Sequence, residues 1–220
     1  MISKRTYEFL VELNRNNNRE WFQANKAWYE ESRKEFEAFT TLLINEITQF
    51  HPGLGPVDAK SVIFRIYRDV RFSKDKSPYK TNMGAHLVPG GKKSGNAGYY
   101  FHLEPGGSFL AGGAHNPSPD ILKNIRKEIY DNIDEFLDIV NNNAFRQYFG
   151  EIMDDKLVNP PKGFPPDFPH IEMLKYKAYT VWRNLSDDMI LSTDLLRELG
   201  HGFRILKPFI DFINYSLQIN

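Results

Sequence analysis

The apolar residues of this chain change period at His51-Pro-Gly-Leu-Gly-Pro56, from steps of three and four to strict alternation, so the fold must contain both helices and strands. Upstream of that break, Ser3 is placed to cap a short helix with Phe9, Leu10 and Leu13 on one side. Asn17 with Glu20 three residues later reads as a capping box opening a longer helix. Its stripe runs Trp21, Ala24, Trp28, Ser32, Phe36, Phe39, Leu43, Ile47 and Phe50, and large aromatics at that spacing read as core.

Downstream, Val62, Phe64, Ile66, Val70 and Phe72 alternate with Arg65, Tyr67, Asp69 and Arg71, the pattern of a half-buried strand whose Phe64, Ile66 and Val70 face the helices. Met83, Ala85 and Leu87 alternate with Asn82, Gly84 and His86 in a second strand, and Tyr99, Phe101 and Leu103 with Tyr100, His102 and Glu104 in a third. Pro105-Gly-Gly107 turns into a fourth, Ser108 to Gly113, and these neighbours in sequence suit an antiparallel meander. Ser118-Pro119 opens a helix carrying Ile121 through Val140, and a shorter helix surrounds Phe145 to Phe149. Lys177 to Arg183 alternates again as a fifth strand. A last helix spans about Asp194 to Leu217, where Pro208 should kink or divide it. The expected fold is α+β in one domain over residues 1–220: an antiparallel sheet of about five strands, with a mixed sheet as the alternative, covered by N-terminal, central and C-terminal helices.

Twenty-eight Lys and Arg balance twenty-eight Asp and Glu, so any attraction for nucleic acid or a membrane surface must come from a patch. Zero cysteines exclude disulfides and thiolate chemistry and fit a reducing compartment. The first residues lack the apolar core of a signal peptide, and no apolar run reaches membrane-spanning length. A cytoplasmic protein without a membrane partner is the expectation.

One patch stands out. Between Lys60 and Lys80 seven Lys or Arg face two Asp, a local excess of five positive charges that an acidic element or an anionic ligand must answer. Arg68 shares the phase of Phe64, Ile66 and Val70. It is therefore returned to solvent by a bulge, paired with a structural carboxylate, or lining a pocket for a carboxylate or phosphate. The opposite phase carries Arg65, Tyr67 and Arg71, continuing into Lys74, Lys76, Tyr79 and Lys80. Interleaved phenols and cations suit a ring-bearing or phosphorylated anion, whereas a plain solvated sheet face would carry charges alone. Lys80-Thr81 lacks the glycines of a P-loop, so NTPase chemistry is not indicated.

His102 and Glu104 point the same way on the third strand, and His86 shares that face from the second. They are candidates for acid–base work or, more blandly, a self-bonded polar face. No His-x-His or His-Glu-x-x-His spacing fixes a metal site, and His115 joins only if its loop folds back, so neither metal nor cofactor is called for. Ser73, Ser77 and Ser108 sit in no nucleophile elbow. The acidic stretch Glu128 to Glu135 reads as a solvated helix face, or as the carboxylates that answer the cationic strand.

Trp21-Phe22 with Asn25-Lys26, the run Phe64 to Lys80, Tyr99 to Phe109 and Ala178 to Arg183 together resemble one uncharacterised family, domain of unknown function twenty-four sixty-one, found mainly in bacteria and also in fungi. The resemblance covers nearly the whole chain. It implies a single domain and passes on no catalytic position. From the residues themselves, the preferred function is a module that binds a phosphorylated or other anionic ligand, a small molecule or nucleic acid, through residues 64–82. The alternatives are an enzyme acting on an anionic substrate with His102 and Glu104 as acid–base groups, and a structural or partner-docking protein.

Overall fold

Four of the five expected strands pair. The computed structural model describes residues 1–92, 94–152 and 155–217. β1 (Met83–Leu87), β2 (Gly98–Leu103), β3 (Phe109–Ala114) and β4 (Tyr179–Asn184) form one antiparallel sheet in the order β1-β2-β3-β4. Side chains alternate across it as the sequence phases require. Ala85, Phe101 and Leu110 lie in one cross-strand row, and Leu87, Tyr99, Gly112 and Val181 in the next; all are buried.

That packed face meets two long helices, α3 (Lys26–Phe50) and α10 (Leu195–Tyr215). Phe36 and Phe39 of α3 close on Phe101 at 5.9 and 5.7 Å between rings, and Phe203 of α10 on Tyr99 at 5.1 Å. Gly112 lets α10 approach this closely, since a Cβ there would stand 2.2 Å from the Leu206 side chain. One contiguous core runs from Ile2 to Ile213. Short α8 (Ile171–Leu174) and α9 (Asp187–Leu191) precede α10, and the chain passes through Pro208 without dividing that last helix. Among the described residues no helix is long and apolar enough to cross a membrane.

Two expected helices are each split by an asparagine. Before α3 stand α1 (Lys4–Arg15) and α2 (Arg19–Ala24). Asn25 ends α2 because its side-chain amide and its backbone N–H both donate to the Trp21 carbonyl, at 2.9 and 3.0 Å. The α2 cap is Asn18, which accepts from Trp21 N–H at 2.9 Å, and not Asn17. The central helix is likewise two, α5 (Pro119–Asp131) and α6 (Ile133–Val140), parted at Asn132, whose side chain donates to Glu128 at 2.7 Å. Glu128 is buried on that bond, and among the described residues none of this acidic stretch pairs with the cations of residues 60–80.

The expected strand over 62–72 is corrected. Short α4 (Ala59–Val62) precedes it, Ile63 and Tyr67 make single bridges to Ala85 and Tyr79, and the rest is a narrow irregular loop. Ile66 is buried, but Phe64 is 39% and Phe72 96% exposed, because beyond Ile63 the loop leaves the β1 edge and Phe64 turns to the outer face of the sheet, 6.2 Å from the Tyr100 ring. What holds it is Asn17, whose amide brackets the Tyr79 backbone: the Asn17 side chain donates to Tyr79 O at 2.9 Å and accepts Tyr79 N–H at 3.1 Å. The Tyr79 ring stacks on Phe22 of α2 at 3.9 Å.

Candidate functional site

Among the described residues no helix lines the second face of the sheet. Its rows are Gly84, His102, Phe109 and Asn184; then His86, Tyr100, Ala111 and Trp182; then Gly98, Gly113 and Thr180. All of these but Gly84, with Phe64 and Lys80 from the loop and His115 after β3, line a cleft of about 660 Å³. Its floor is aromatic where an open antiparallel sheet ordinarily carries scattered charges.

A hydrogen-bonded chain crosses this floor. The Tyr100 phenol folds over β1, possible because residue 84 is glycine: a Cβ there would stand 2.4 Å from Tyr100 Oη. Tyr100 Oη lies 2.9 Å from His102 Nδ1, His102 Nε2 3.0 Å from Glu104 Oε2, and the Thr81 hydroxyl donates to Glu104 Oε1 at 2.7 Å. Phe109 stacks flat on the His102 ring at 4.5 Å, fixing its plane. Burial, with the Glu104 charge adding, pushes the Tyr100 phenol up to about 12. The Thr180 hydroxyl, in a residue only 5% exposed, has no hydrogen-bond partner among the described residues.

The cleft is also cationic at one end. Lys80 Nζ sits 5.1 Å from the centre of the Phe64 ring, and Lys92 Nζ, which donates to Ile63 O at 3.1 Å, lies 5.1 Å from the same ring. Lys80 has no carboxylate within ion-pair distance among the described residues. Burial, then repulsion from Arg65 and Lys92, holds its ammonium below the usual lysine range. His86 is held low by burial first, with His115 and Lys92 opposing its protonation. Among the described residues no three His, Asp or Glu side chains are grouped to hold a metal.

The ten residues singled out from the sequence separate into four groups. Lys80 and His102 line the cleft, and Glu104 is bonded to His102. Tyr79 is buried and Tyr67 packs against it at 5.5 Å, so both hold the loop onto α2. Arg68 pairs with Asp75 and Arg71 with Asp69 at 2.6 Å, while Lys76 donates to Val70 O at 3.0 Å. Arg65 and Lys74 are exposed. Phe64, Tyr100, Phe109, Thr180, Trp182 and Asn184 were not singled out as site residues. For Tyr100, Phe109 and Trp182 the signal is the off-core phase of β2, β3 and β4, which carries rings where a solvated face would carry charges; Phe64, Thr180 and Asn184 gave none. A smaller recess of about 260 Å³ near α7 (Asn143–Phe149) is less suited to a ligand: its Arg146 pairs with Glu151 at 3.2 Å, and Lys156 covers Tyr176 at 4.4 Å.

Fold and site together define a two-layer α+β protein with one sheet face closed by helices and the other holding an aromatic, histidine-bearing cleft. The chain belongs to the family of conserved hypothetical proteins DUF2461, whose model matches residues 5–212. No curated protein and no solved structure shows significant similarity to it.

Proposed function

We propose that the protein binds a small anionic ligand, phosphorylated or carboxylated, with the ligand body on the aromatic floor and its charge at Lys80. The observation that carries this reading is Lys80 itself: a partly dehydrated ammonium at an aromatic cleft, repelled by two neighbouring cations and met by no carboxylate among the described residues. Such a cation costs stability that a bound anion recovers. The exposed Arg65 and Lys74 add long-range attraction for an anion and no specificity. A concave floor, with Tyr100, His102 and Phe109 only partly exposed in it, favours a small molecule over a nucleic acid strand. The chain's zero cysteines suit the cytoplasmic setting we assign it.

The test is thermal denaturation of wild type and Lys80→Met with inorganic phosphate, benzoate, nucleoside monophosphates and a short single-stranded RNA. Ring-bearing anions should raise the wild-type melting temperature by mass action and leave Lys80→Met unmoved. Equal shifts in both proteins, or none with any anion, would remove Lys80 from the site and the reading with it.

A further inference from the structure

Proton positions along the chain from Tyr100 to Glu104 follow from donor and acceptor chemistry. A carboxylate only accepts, so both groups that touch Glu104 donate: the Thr81 hydroxyl to Oε1 at 2.7 Å, and His102 Nε2–H to Oε2 at 3.0 Å. In the neutral imidazole that leaves Nδ1 bare, and the Tyr100 hydroxyl donates to it at 2.9 Å. The Tyr100 proton is therefore committed to His102. Its oxygen accepts no hydrogen bond among the described residues, and Tyr100 lines the cleft.

We propose that this chain acts as a general base for a hydroxyl of the ligand, with Tyr100 as the group that meets it. The ligand O–H bond breaks and its proton passes to the phenol oxygen, while the Tyr100 proton moves to His102 Nδ1. The ligand gains one negative charge as alkoxide or phenolate. His102 gains the matching positive charge as an imidazolium held against the Glu104 carboxylate, and no further reactant is consumed. Tyr100 is suited to pass a proton without storing charge, because its environment keeps it a neutral phenol up to about 12. His102 is pinned between Tyr100, Glu104 and the face of Phe109, and so acts through Tyr100 as a positioning residue. The charged groups around the site are Lys80, Lys92 and Arg65, which oppose a second cation nearby but favour an anionic product, while His86, beside His115, is held towards its neutral form by burial.

This inference rests on the cleft taking an anionic, ring-bearing ligand, and one probe separates the two claims. 4-Hydroxybenzoate carries a carboxylate, a flat ring and a phenol whose ionisation is visible as a shift of its ultraviolet absorbance. Binding is read from the change in protein fluorescence, and ionisation from the phenolate difference absorbance, at a pH about one unit below the free phenol's pKa, where about a tenth of the free probe is ionised and an ordinary imidazole is neutral. Wild-type protein should bind the probe and raise its ionised fraction on the order of fivefold or more. His102→Gln and Glu104→Gln should bind it with that rise reduced or lost, and Tyr100→Phe likewise. A bound probe that stays neutral, or one that ionises as fully on His102→Gln as on wild type, overturns the proton-acceptor role and leaves the binding site standing. A wild-type protein that does not bind the probe overturns both.

Discussion

Gly84→Ala tests whether the floor of the cleft is built as described. The new methyl would stand 2.4 Å from Tyr100 Oη and 3.0 Å from the ring carbon that bears it, roughly 1 Å inside ordinary contact. The phenol is the movable partner, so it must swing away and give up its 2.9 Å bond to His102. A lost hydrogen bond of this kind costs about 0.5–1.5 kcal/mol net. A ring forced off its rotamer costs about 0.5–1.5 kcal/mol more. Against this, alanine in a strand is favoured over glycine by about 0.5–1 kcal/mol. The expected net is a destabilisation of about 0–2.5 kcal/mol, centred near 1 kcal/mol, a fall of a few degrees in a chain of this size. Denaturant melts give the energy. The ¹⁵N shifts of the His102 ring report whether Nδ1 still accepts a hydrogen bond. The same substitution made in Tyr100→Phe, which lacks the nearest clashing atom, should cost measurably less. Equal costs in the two backgrounds, or an unchanged His102 ring in Gly84→Ala, would refute the placement of Tyr100 over β1.

Phe101→Ala empties the point where Phe36 and Phe39 meet the sheet and should cost about 3–5 kcal/mol in chemical denaturation; a loss below about 1 kcal/mol would mean α3 does not close there. Arg68→Ala should leave the melting temperature within about 2 °C of wild type, because its partner Asp75 is exposed. A large drop would show the pair buried. His86 is held below its ordinary value, so the unfolded chain takes up a proton first as pH falls through about 6.5. Stability is then lost on acidification from that point down to the folded pKa and levels off below it. His86→Gln should flatten part of that loss, with His51, also lowered by burial, keeping its own share. Superimposable curves of melting temperature against pH would contradict the burial of His86.

The strand phases were legible because a buried sheet face tolerates no one-residue slip: Tyr99, Phe101 and Leu103 had to share a side, which sent Tyr100, His102 and Glu104 to the other. Alternation alone failed over 62–72. A loop pinned by single bridges shows the same period as a strand, and only the absence of a ladder partner tells them apart. The helix breaks at Asn25 and Asn132 were hidden inside continuous apolar stripes. Each depends on an asparagine side chain turning back to the residue four before it, a local competition that a stripe does not record. In the site, His102 and Glu104 were legible as a pair two apart on one strand. Tyr100 was not, since its reach to His102 depends on Gly84 of the neighbouring strand, and so on register.

The excess of positive charge that marks this sequence separates by place. Near the loop tip, Arg68 and Arg71 are answered by Asp75 and Asp69 of the same loop. At the cleft end, Arg65 and Lys92 both act on Lys80 without a compensating carboxylate among the described residues. The buried Tyr79 next to it, clamped by Asn17 and stacked on Phe22, fixes the backbone from which the Lys80 side chain reaches the Phe64 ring. A fold that holds a repelled, partly dehydrated ammonium in place gives up stability there, as binding sites commonly do. Its folded pKa is lowered, which means that at neutral pH the charged form favours the unfolded chain, and the loss should disappear as pH rises through the lysine range. Lys80→Met keeps the stem and removes the charge. The unliganded variant should therefore melt higher than wild type at pH 7, with the gap closing above about pH 10.5, while its response to ring-bearing anions is abolished. A variant that melts lower than wild type would show Lys80 to be a structural cation, and the cleft would lose its claim to an anionic ligand.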